Sequence, residues 1–319
     1  MITLGENPNT SQQIADTAGM KERYVREWLG CMAAADIIQF NPTTETFWLP
    51  SNRSGIMELK PFALTPPTLY GGFFQVAECF KKDGPSGVAY TAYPKFDELM
   101  GLMQGPFFKD QLVQTFLPSM PELHQQLITG LEVLDIGCGE GVSTLAMARH
   151  FPKSQFYGVD LSQAALTKAR GTAAEMCLSN VTFVSADITQ MPSDWKDKFD
   201  YLFMHFVLHD LSYPYKALGE MHRVLKPGGT LSIIETNAHS KLQENLDRKD
   251  RENILMEYTY SLLNCMPTSL YPGDGEGLGA MWGREKIKEA LEQANFQVIC
   301  VTEAYKEGLH LMCKKPMTS

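Results

Sequence analysis

Three aspartates and a glycine-rich loop are the residues of this chain whose types and spacing suit them to binding a ligand. Asp135 lies within the apolar segment 133–136, which runs directly into the loop 137–141, Gly-Cys-Gly-Glu-Gly. Asp160 and Asp187 end the next two apolar segments. Glycine lets a ligand approach the backbone closely, and a carboxylate accepts hydrogen bonds from hydroxyl and amino groups. The pattern predicts a ligand site at the carboxyl edge of a parallel sheet.

The glycine spacing argues against a nicotinamide dinucleotide as that ligand. Dinucleotide-binding loops space their glycines G-x-G-x-x-G to seat a pyrophosphate, whereas this loop reads G-x-G-x-G. The carboxylate of Asp135 would repel a pyrophosphate but suits a cationic amino group. Asp160 is predicted to accept hydrogen bonds from ribose hydroxyls, and Asp187 is predicted to meet an adenine amino group.

Seven short apolar segments that alternate with helical ones must position these side chains. Strands joined by helical crossovers predict a seven-stranded, doubly wound α/β sheet over residues 130–319. Residues 237–295 are longer than one crossover helix requires, and residues 240–283 are predicted to form a helical cap over the site. The segments read EVLDIG, SQFYGVD, VTFVSAD, FDYLFMH, TLSIIET, FQVICVT and GLHLMCK.

Residues 1–55 have the pattern of a winged helix. Ser11 is the predicted N-cap of a short helix that Gly19 ends, a second helix follows over residues 21–35, and an alternating hairpin comes next. The first helix that usually completes such a unit is missing or shortened in this pattern. Residues 56–129 are interrupted by prolines and glycines, and they are predicted to form a helical connector and lid.

Composition and charge exclude several classes of protein. The 319 residues are 44% hydrophobic and 20% charged, which is too apolar for a disordered chain. The formal net charge of −9 repels phosphate backbones and anionic lipid. Residues 1–55 hold four basic side chains against six acidic ones, so we expect no nucleic-acid partner. The apolar stripe of the second predicted helix favours a homodimer contact instead.

The cysteines and the lack of a targeting pattern predict a cytoplasmic protein without a membrane partner. The seven cysteines form no C-x-x-C pair, which is typical of reduced thiols rather than of a disulfide framework or a zinc site. No uncharged apolar stretch approaches about 18 residues, and the N-terminal segment has no signal-peptide pattern.

Together with RVLKPGG at residues 223–229, the loop and the aspartates resemble the S-adenosylmethionine site of class I methyltransferases. The resemblance implies a Rossmann-like methyltransferase fold, S-adenosylmethionine as cofactor and S-adenosylhomocysteine as product. It places Asp135 at the methionyl end, Asp160 on the ribose and Asp187 beside adenine. The residues that it implies in cofactor binding are Asp135, Gly137, Cys138, Gly139, Asp160, Leu161, Asp187, Ile188 and His205.

A second resemblance covers nearly the whole chain. The segments ERYVREWLGCMAAADII, YTAYP and LYPGDGEGLGAMWGRE are similar to a family of small-molecule S-adenosylmethionine methyltransferases that carry a winged helix and have bacterial and invertebrate members. Some members are linked to thiols, so the resemblance implies S-methylation of a low-molecular-weight thiol. Two alternatives stay open: O- or N-methylation of a small aromatic metabolite, and a winged-helix DNA-binding regulator with an S-adenosylmethionine-sensing domain.

His209 and Asp210 are the candidate catalytic residues. The domain order also resembles the plant and bacterial small-molecule O-methyltransferases, which have a His-Asp pair at this position that includes the base for the acceptor hydroxyl. An imidazole suits that role because its ordinary pKa is about 6.5. A thiol, whose ordinary pKa is about 8.5, needs less help. The alternative is that His209 only hydrogen-bonds to backbone at the start of a helix.

Four aromatic residues are candidates for the lid or the acceptor pocket. Tyr90 and Tyr93, in YTAYP, lie where related folds close a lid over the donor, while Tyr258 and Trp282 belong to the predicted cap. Packing in the core is the alternative for all four.

The sequence predicts no metal. His205 and His209 are four residues apart, but a third ligand is not in view, and the residue after His205 is not the glutamate of a zinc protease helix.

Overall fold

The computed structural model describes residues 4–53, 55, 60–271, 273–304 and 308–317. The chain divides into two compact units, Met1–Leu64 and Thr65–Ser319. Within the described ranges, none of the helices is both long and apolar enough to cross a bilayer.

The N-terminal unit combines two helices with a small antiparallel sheet, as the winged-helix pattern predicts. Its elements are β1 (Asn9–Thr10), α1 (Ser11–Ala18), α2 (Glu22–Ala34), β2 (Gln39–Asn41) and β3 (Thr46–Trp48). The strand order is β1-β3-β2, and β2 pairs with β3 as the predicted hairpin. On α2, Val25 and Leu29 are buried in the core of the unit, while Tyr24 is 75% exposed.

The predicted N-cap of the first helix was one residue too late. Thr10 Oγ1 accepts a hydrogen bond of 3.3 Å from the backbone N–H of Gln13, and Gln13 Oε1 accepts one of 2.9 Å from the backbone N–H of Thr10. This reciprocal pair requires Thr and Gln three residues apart, so Ser11 becomes the first helical residue instead of the cap. Gly19, with φ of 63°, ends the helix as predicted.

Helical segments precede the sheet of the C-terminal unit. They are α3 (Lys60–Cys79), α4 (Phe96–Asp110) and α5 (Pro121–Thr129), with 3-10 turns at Tyr90–Ala92 and Leu117–Ser119 and a π-helical turn at Leu112–Phe116. Pro121 is the first residue of α5, where its missing N–H costs no helical hydrogen bond.

The described residues of the C-terminal unit form the predicted seven-stranded sheet. Its strands are β4 (Glu132–Ile136), β5 (Gln155–Asp160), β6 (Val181–Ser185), β7 (Phe199–His205), β8 (Leu225–Thr236), β9 (Gln297–Glu303) and β10 (Gly308–Lys314). The order is β6-β5-β4-β7-β8-β10-β9. Strands β4 to β8 run parallel, while β10 is antiparallel to both β8 and β9.

Strand β8 begins earlier than predicted. It starts at Leu225, so the Lys-Pro-Gly-Gly segment that comes before the predicted segment TLSIIET lies within the strand. The pairing register with β7 shifts between Phe199 and Tyr201, and Gly228 has a φ of 77°. The glycine thus absorbs an irregularity in the strand.

Helices cover the sheet and fill the long segment after β8. They are α6 (Val142–His150), α7 (Gln163–Glu175), α8 (Pro214–Val224), α9 (Leu242–Leu246), α10 (Arg251–Tyr260), α11 (Met266–Leu270) and α12 (Arg284–Gln293), with 3-10 turns at Ser193–Trp195 and Leu208–Asp210 and a π-helical turn at Ser261–Cys265.

Two apolar clusters lie on the opposite faces of the sheet. Leu134 and Ile136 of β4 belong to one cluster, and Val133 belongs to the other. In β7, Leu202 likewise belongs to the first cluster and Tyr201 to the second. Successive side chains of a strand point to opposite faces, so these nearly continuous apolar strands bury both faces of the sheet. Polar side chains are left at the carboxyl ends of the strands.

Candidate active site

The loop between β4 and α6 contains glycines with left-handed backbone. Gly137, Gly139 and Gly141 have φ values of 70°, 53° and 75°. A Cβ at Gly137 would lie 2.6 Å from the Val207 side chain, and a Cβ at Gly141 would lie 2.7 Å from the Phe183 ring. A Cβ at Gly139 would meet no atom within 4 Å. The outer two glycines are therefore required for packing, whereas Gly139 presents bare backbone to open space.

We expect Gly141→Ala to lower the free energy of unfolding by about 2–5 kcal/mol. It adds left-handed strain of about 1–2 kcal/mol to an overpacked contact that costs about 1–3 kcal/mol. Gly139→Ala is the matched control and is expected to cost only the strain, about 1–2 kcal/mol. Urea unfolding followed by circular dichroism measures both changes, and equal losses in the two variants would contradict the packing argument.

A cavity of about 870 Å³ opens at the carboxyl edge of the sheet, next to this loop. Its wall combines the loop with the ends of β5 and β7, the turn at Tyr90–Ala92 and α4. All the residues expected to bind the cofactor line it, namely Asp135, Gly137, Cys138, Gly139, Asp160, Leu161, Asp187, Ile188 and His205. The structure also brings Tyr90, Tyr93 and Asp210 to this wall.

Asp160, the last residue of β5, ties the glycine loop to the neighbouring strand. Its Oδ2 accepts a hydrogen bond of 2.8 Å from the backbone N–H of Gly139, and its Oδ1 accepts one of 2.8 Å from that of Ser162. A carboxylate has about four acceptor positions, so both oxygens retain lone pairs for hydroxyl groups of a ligand. Next to it, the Leu161 side chain is 69% exposed.

Asp187 closes a short turn after β6. Its Oδ1 accepts hydrogen bonds from the backbone N–H of Thr189 at 2.8 Å and from the Thr189 hydroxyl at 2.7 Å. These bonds fix the carboxylate at the cavity wall, and buried Ile188 supplies an apolar surface beside it.

Asp135 is a buried carboxylate at the end of β4. Its Oδ2 accepts hydrogen bonds of 2.5 Å and 2.6 Å from the hydroxyls of Ser143 and Thr144. Burial raises the pKa of Asp135 to about 6, although these two hydroxyls oppose the shift and nearby Asp160 adds to it. Burial also raises the pKa of the Cys138 thiol, which is therefore protonated at neutral pH.

His205 ends β7 within a cluster of aromatic rings. Its ring stacks on Phe107, with centroids 5.0 Å apart, and meets the edges of Phe108 and Phe206. Burial lowers the pKa of His205 to about 3, so the ring is neutral. Among the described residues, its buried Nδ1 has no hydrogen-bond partner.

His209 lies in the short 3-10 turn after β7 and is held by a buried carboxylate. Its Nδ1 contacts Glu235 Oε2, and its backbone N–H donates to Glu235 Oε1 at 3.2 Å. Its Nε2 is 3.2 Å from Asp210 Oδ1. Burial disfavours the charged ring, but Glu235 and Asp210 together raise the pKa of His209 well above its usual value. His209 itself does not line the cavity, whereas its neighbour Asp210 does.

Both tyrosines of YTAYP donate hydrogen bonds to distant segments of the chain. Tyr90 donates a hydrogen bond of 2.8 Å to Asp210 Oδ2, and Tyr93 donates one of 2.7 Å to the carbonyl of Leu263. Desolvation of the hydroxyl and then Asp210 raise the pKa of Tyr90 well above its usual value, although the residue as a whole is 45% exposed. Tyr90 is thus coupled to the predicted catalytic pair.

Tyr258 and Trp282 do not line this cavity. Trp282 is buried in the apolar cluster that contains Leu134 and Ile136. The Tyr258 hydroxyl accepts a hydrogen bond of 3.4 Å from Asn245 Nδ2.

Sequence reasoning missed two residues next to His209: Glu235, which contacts its ring, and Cys265, whose sulfur lies within 4.8 Å of ligand atoms of His209 and Asp210. Glu235 is fully buried near the end of β8, and an acidic residue at the end of an apolar segment was a usable signal. Cys265, which is also buried, lies 56 positions after His209 and carries no signal in the sequence. Because Cys265 is far from His209 in the sequence, only the fold brings these two residues together.

The cavity wall fits the adenosyl sulfonium ligand that the sequence resemblance implies. Carboxylates dominate its charged groups, which suits a ligand with cationic groups. The two lysines of the wall each pair with a carboxylate: Lys95 with Glu98 at 3.3 Å and Lys168 with Glu140 at 2.6 Å. The bare backbone of Gly139 gives such a ligand close access.

Two family models match the chain. Residues 128–297 match the model described as a methyltransferase domain, and residues 2–58 match the one described as an Rv2258c-like winged HTH domain.

Curated relatives match part of the chain. It is 33% identical to a tRNA (guanine-N(7)-)-methyltransferase of Rubrobacter xylanophilus over 37% of this chain and 57% of that protein. It is 34% identical to a demethylmenaquinone methyltransferase of Listeria monocytogenes over 34% of this chain and 46% of that protein. The chain thus spans about half the length of the curated relatives that it matches.

Solved structures with this fold cover nearly the whole chain. A structure described as a putative O-methyltransferase from Nostoc punctiforme covers 98% of this chain and 90% of its own, with a TM-score of 0.67 and 16% identity. The structure described as PigF with SAH covers 97% of this chain and 90% of its own, with a TM-score of 0.67 and 16% identity. Mitomycin 7-O-methyltransferase MmcR covers 98% and 89%, with a TM-score of 0.62 and 16% identity. At this identity the likeness establishes the fold alone.

Proposed function

Because this chain belongs to the methyltransferase-domain family, we propose that it transfers the methyl group of S-adenosylmethionine to a small-molecule acceptor, with a low-molecular-weight thiol favoured. The observation that carries this proposal is one cavity with two different ends. The glycine loop and three aspartates line one end, and the Tyr90–Asp210 pair borders the other.

The donor end is suited to hold the methyl donor in one orientation. We propose that Asp160 accepts the ribose hydroxyls, that Asp187 and Ile188 flank the adenine, and that Asp135 meets the methionyl ammonium. When bound, S-adenosylmethionine supplies an electrophilic methyl group on a sulfonium. The carboxylates of this end favour a cationic ligand over its neutral product.

The acceptor end is suited to align a nucleophile and exclude water. Methyl transfer from a sulfonium is an in-line displacement. Much of the rate enhancement therefore comes from aligning donor and acceptor and from excluding water. Tyr90 packs edge-on against Phe96, with ring centroids 5.3 Å apart, and with Phe108 it gives this end an aromatic wall. We propose that Tyr90 and Asp210 contact the acceptor heteroatom and that His209, whose Nε2 is 3.2 Å from Asp210 Oδ1, acts through Asp210.

A thiol acceptor is favoured because it needs the least help from these side chains to lose its proton. A thiol with an ordinary pKa of about 8.5 is partly ionised near neutral pH, whereas a hydroxyl needs a strong base. O-methylation of a phenol is the second candidate, and the O-methyltransferases among the structural neighbours favour it.

A screen of methyl acceptors tests the proposal. The full chain is incubated with S-adenosylmethionine and, separately, with small thiols, catechols, phenols and amines, and S-adenosylhomocysteine is quantified. Turnover with a thiol above all other classes is the expected result. Donor binding without turnover on any class, together with salt-sensitive retention on DNA, would favour the regulator instead.

The donor affinity is expected to fall at acidic pH. Asp135 has a pKa of about 6, so it loses its charge as the pH drops from 7 to 5. The affinity for S-adenosylmethionine should be nearly constant between about pH 7 and 8 and fall by at most about tenfold per unit below about pH 6. Calorimetry across this range measures the change. Asp135→Asn should bind more weakly at pH 7.5 and show a flatter profile, and an unaltered profile in this variant would exclude Asp135 as the cause.

We also propose that the protein is a cytoplasmic homodimer. The seven cysteines are all free, as expected in a reducing compartment. In the N-terminal unit, Met20 and Tyr24 are 65% and 75% exposed, which provides apolar surface for a second copy. Light scattering at several concentrations tests the dimer, and a monomer at every concentration would refute it.

A further inference from the structure

Three side chains capable of binding a metal lie together next to the acceptor end of the cavity, and Asp210 is the one of the three that lines the wall. They are His209 and Asp210, from the 3-10 turn after β7, and Cys265, from the π-helical turn before α11. One ligand atom from each lies within 4.8 Å of the other two. His209 and Cys265 are buried, and Asp210 lines the cavity. π-helical turns inside helices are frequent at functional sites, which agrees with the position of Cys265.

Glu235 orients the histidine as the outer carboxylate of a metal site does. It contacts Nδ1, which leaves Nε2 directed away from it, and metal-binding histidines commonly pair their second nitrogen with a carboxylate in this way.

The spacing of the nitrogen and the carboxylate oxygen fits tetrahedral coordination. Nε2 of His209 is 3.2 Å from Asp210 Oδ1. Two such ligands at about 2.0–2.2 Å from a tetrahedral zinc ion lie about 3.3 Å apart. Despite the proximity of Nε2, Asp210 Oδ1 is buried and, among the described residues, has no hydrogen-bond partner. An oxygen of this kind is available to a cation.

The charges around the site are compatible with a bound cation. The carboxylates of Glu235 and Asp210 are only 1% and 12% exposed, and they flank a single histidine. Buried carboxylates are costly unless a positive charge offsets them. A proton on His209 offsets one of them. A divalent ion that replaces the protons of His209 and Cys265 leaves the same net charge, so the site can exchange these protons for a cation.

We propose that His209, Asp210 and Cys265 bind a zinc ion whose fourth position faces the cavity and takes the sulfur of a thiol acceptor. The mixed nitrogen, oxygen and sulfur ligands match the preferences of zinc rather than those of magnesium or calcium. The metal site stands on its own geometry, and only the identity of its fourth ligand rests on the proposed function.

The acceptor step balances without an oxidant or reductant. The thiol R–SH releases its proton to solvent as its sulfur takes the fourth position. A sulfur lone pair then forms the new carbon–sulfur bond while the bond between the methyl carbon and the sulfonium sulfur breaks. The products are the thioether R–S–CH₃ and S-adenosylhomocysteine.

A second group of possible ligands, His239, Glu244 and Glu285, does not carry the same argument. Both carboxylates contact the same nitrogen, Nδ1 of His239, at 3.2 Å and 2.9 Å, and all three side chains are more than a quarter exposed. These contacts are those of a surface ion pair. The group therefore supplies a matched control.

Cobalt(II) titration of the full chain tests the site. The protein is first stripped with a chelator, and Co²⁺ is added while the thiolate-to-cobalt charge-transfer absorption is recorded. We expect one equivalent to bind with this band, and zinc to displace it. Cys265→Ser should abolish the band, and Glu235→Gln should weaken Co²⁺ binding by about 10- to 100-fold. Cys300→Ser and His239→Ala, which leave the site intact, should behave as the unaltered chain.

Circular dichroism and calorimetry with S-adenosylhomocysteine separate the possible failures. A folded chain that binds S-adenosylhomocysteine but no cobalt overturns the metal site and leaves the proposed function standing. Cobalt binding with the expected band in a chain that never binds S-adenosylhomocysteine supports the metal site and refutes the proposed function. A band that survives Cys265→Ser in folded protein overturns the ligand assignment.

Discussion

Asp160→Ala is expected to weaken the binding of S-adenosylmethionine by about 30- to 800-fold, corresponding to about 2–4 kcal/mol. Asp160 has two tasks in the proposed complex. It accepts hydrogen bonds from the ribose, and it holds the glycine loop through the backbone N–H of Gly139 at 2.8 Å. Hydrogen bonds to a charged group contribute about 1.5–3 kcal/mol each, and alanine removes all of them. Isothermal titration calorimetry with the donor or with S-adenosylhomocysteine measures the change.

Asp194→Ala is the matched control for Asp160→Ala. Asp194 is an exposed aspartate of the 3-10 turn Ser193–Trp195 and does not line the cavity, so its removal should leave the affinity unchanged. A donor affinity within a factor of two of the unaltered chain in folded Asp160→Ala would contradict the location of the donor.

Glu235→Ala is expected to lower the free energy of unfolding by about 3–5 kcal/mol at neutral pH in metal-free protein. Glu235 is fully buried and contacts both the ring Nδ1 and the backbone N–H of His209. Removing one partner of a buried pair leaves the other partner charged or polar without compensation. Glu235→Gln retains the shape and one acceptor oxygen, so its loss should be smaller. Urea unfolding gives both values.

Glu303→Ala, on an exposed position of β9, is the control for this series and should change the stability by less than about 0.5 kcal/mol. A loss below about 1 kcal/mol in Glu235→Ala would contradict the role of Glu235 as the buried partner of His209.

The residues of the proposed donor end could be singled out from the sequence because they are local features of a regular pattern. Asp135, Asp160 and Asp187 each end an apolar segment or lie near its end, and the carboxyl ends of parallel strands meet at one edge of a sheet. All three line one cavity. The loop glycines permit the positive φ values that the loop adopts, which other residue types rarely do.

The acceptor end was only partly predictable. Tyr90 and Asp210 are 120 residues apart in sequence, and only the fold brings them into hydrogen-bonding contact. The proposed metal ligands differ from the pair that the spacing singled out. His205 lies among aromatic rings, whereas His209 meets Glu235, which follows it by 26 residues, and Cys265. Spacing of four residues had meaning only if both histidines lay on one helix, and β7 ends between them.

The sequence alone determined the strands, the winged-helix pattern and the residues of the proposed donor end, because the two-residue and 3.6-residue periodicities and the glycine spacing are features of a few neighbouring positions. Only the tertiary structure decided that Glu235 and Cys265 join His209, that Tyr90 contacts Asp210, and that Trp282 packs into the core away from the cavity. Those contacts depend on how segments that are distant in the sequence pack together. The local pattern of one segment does not specify which other segment it contacts.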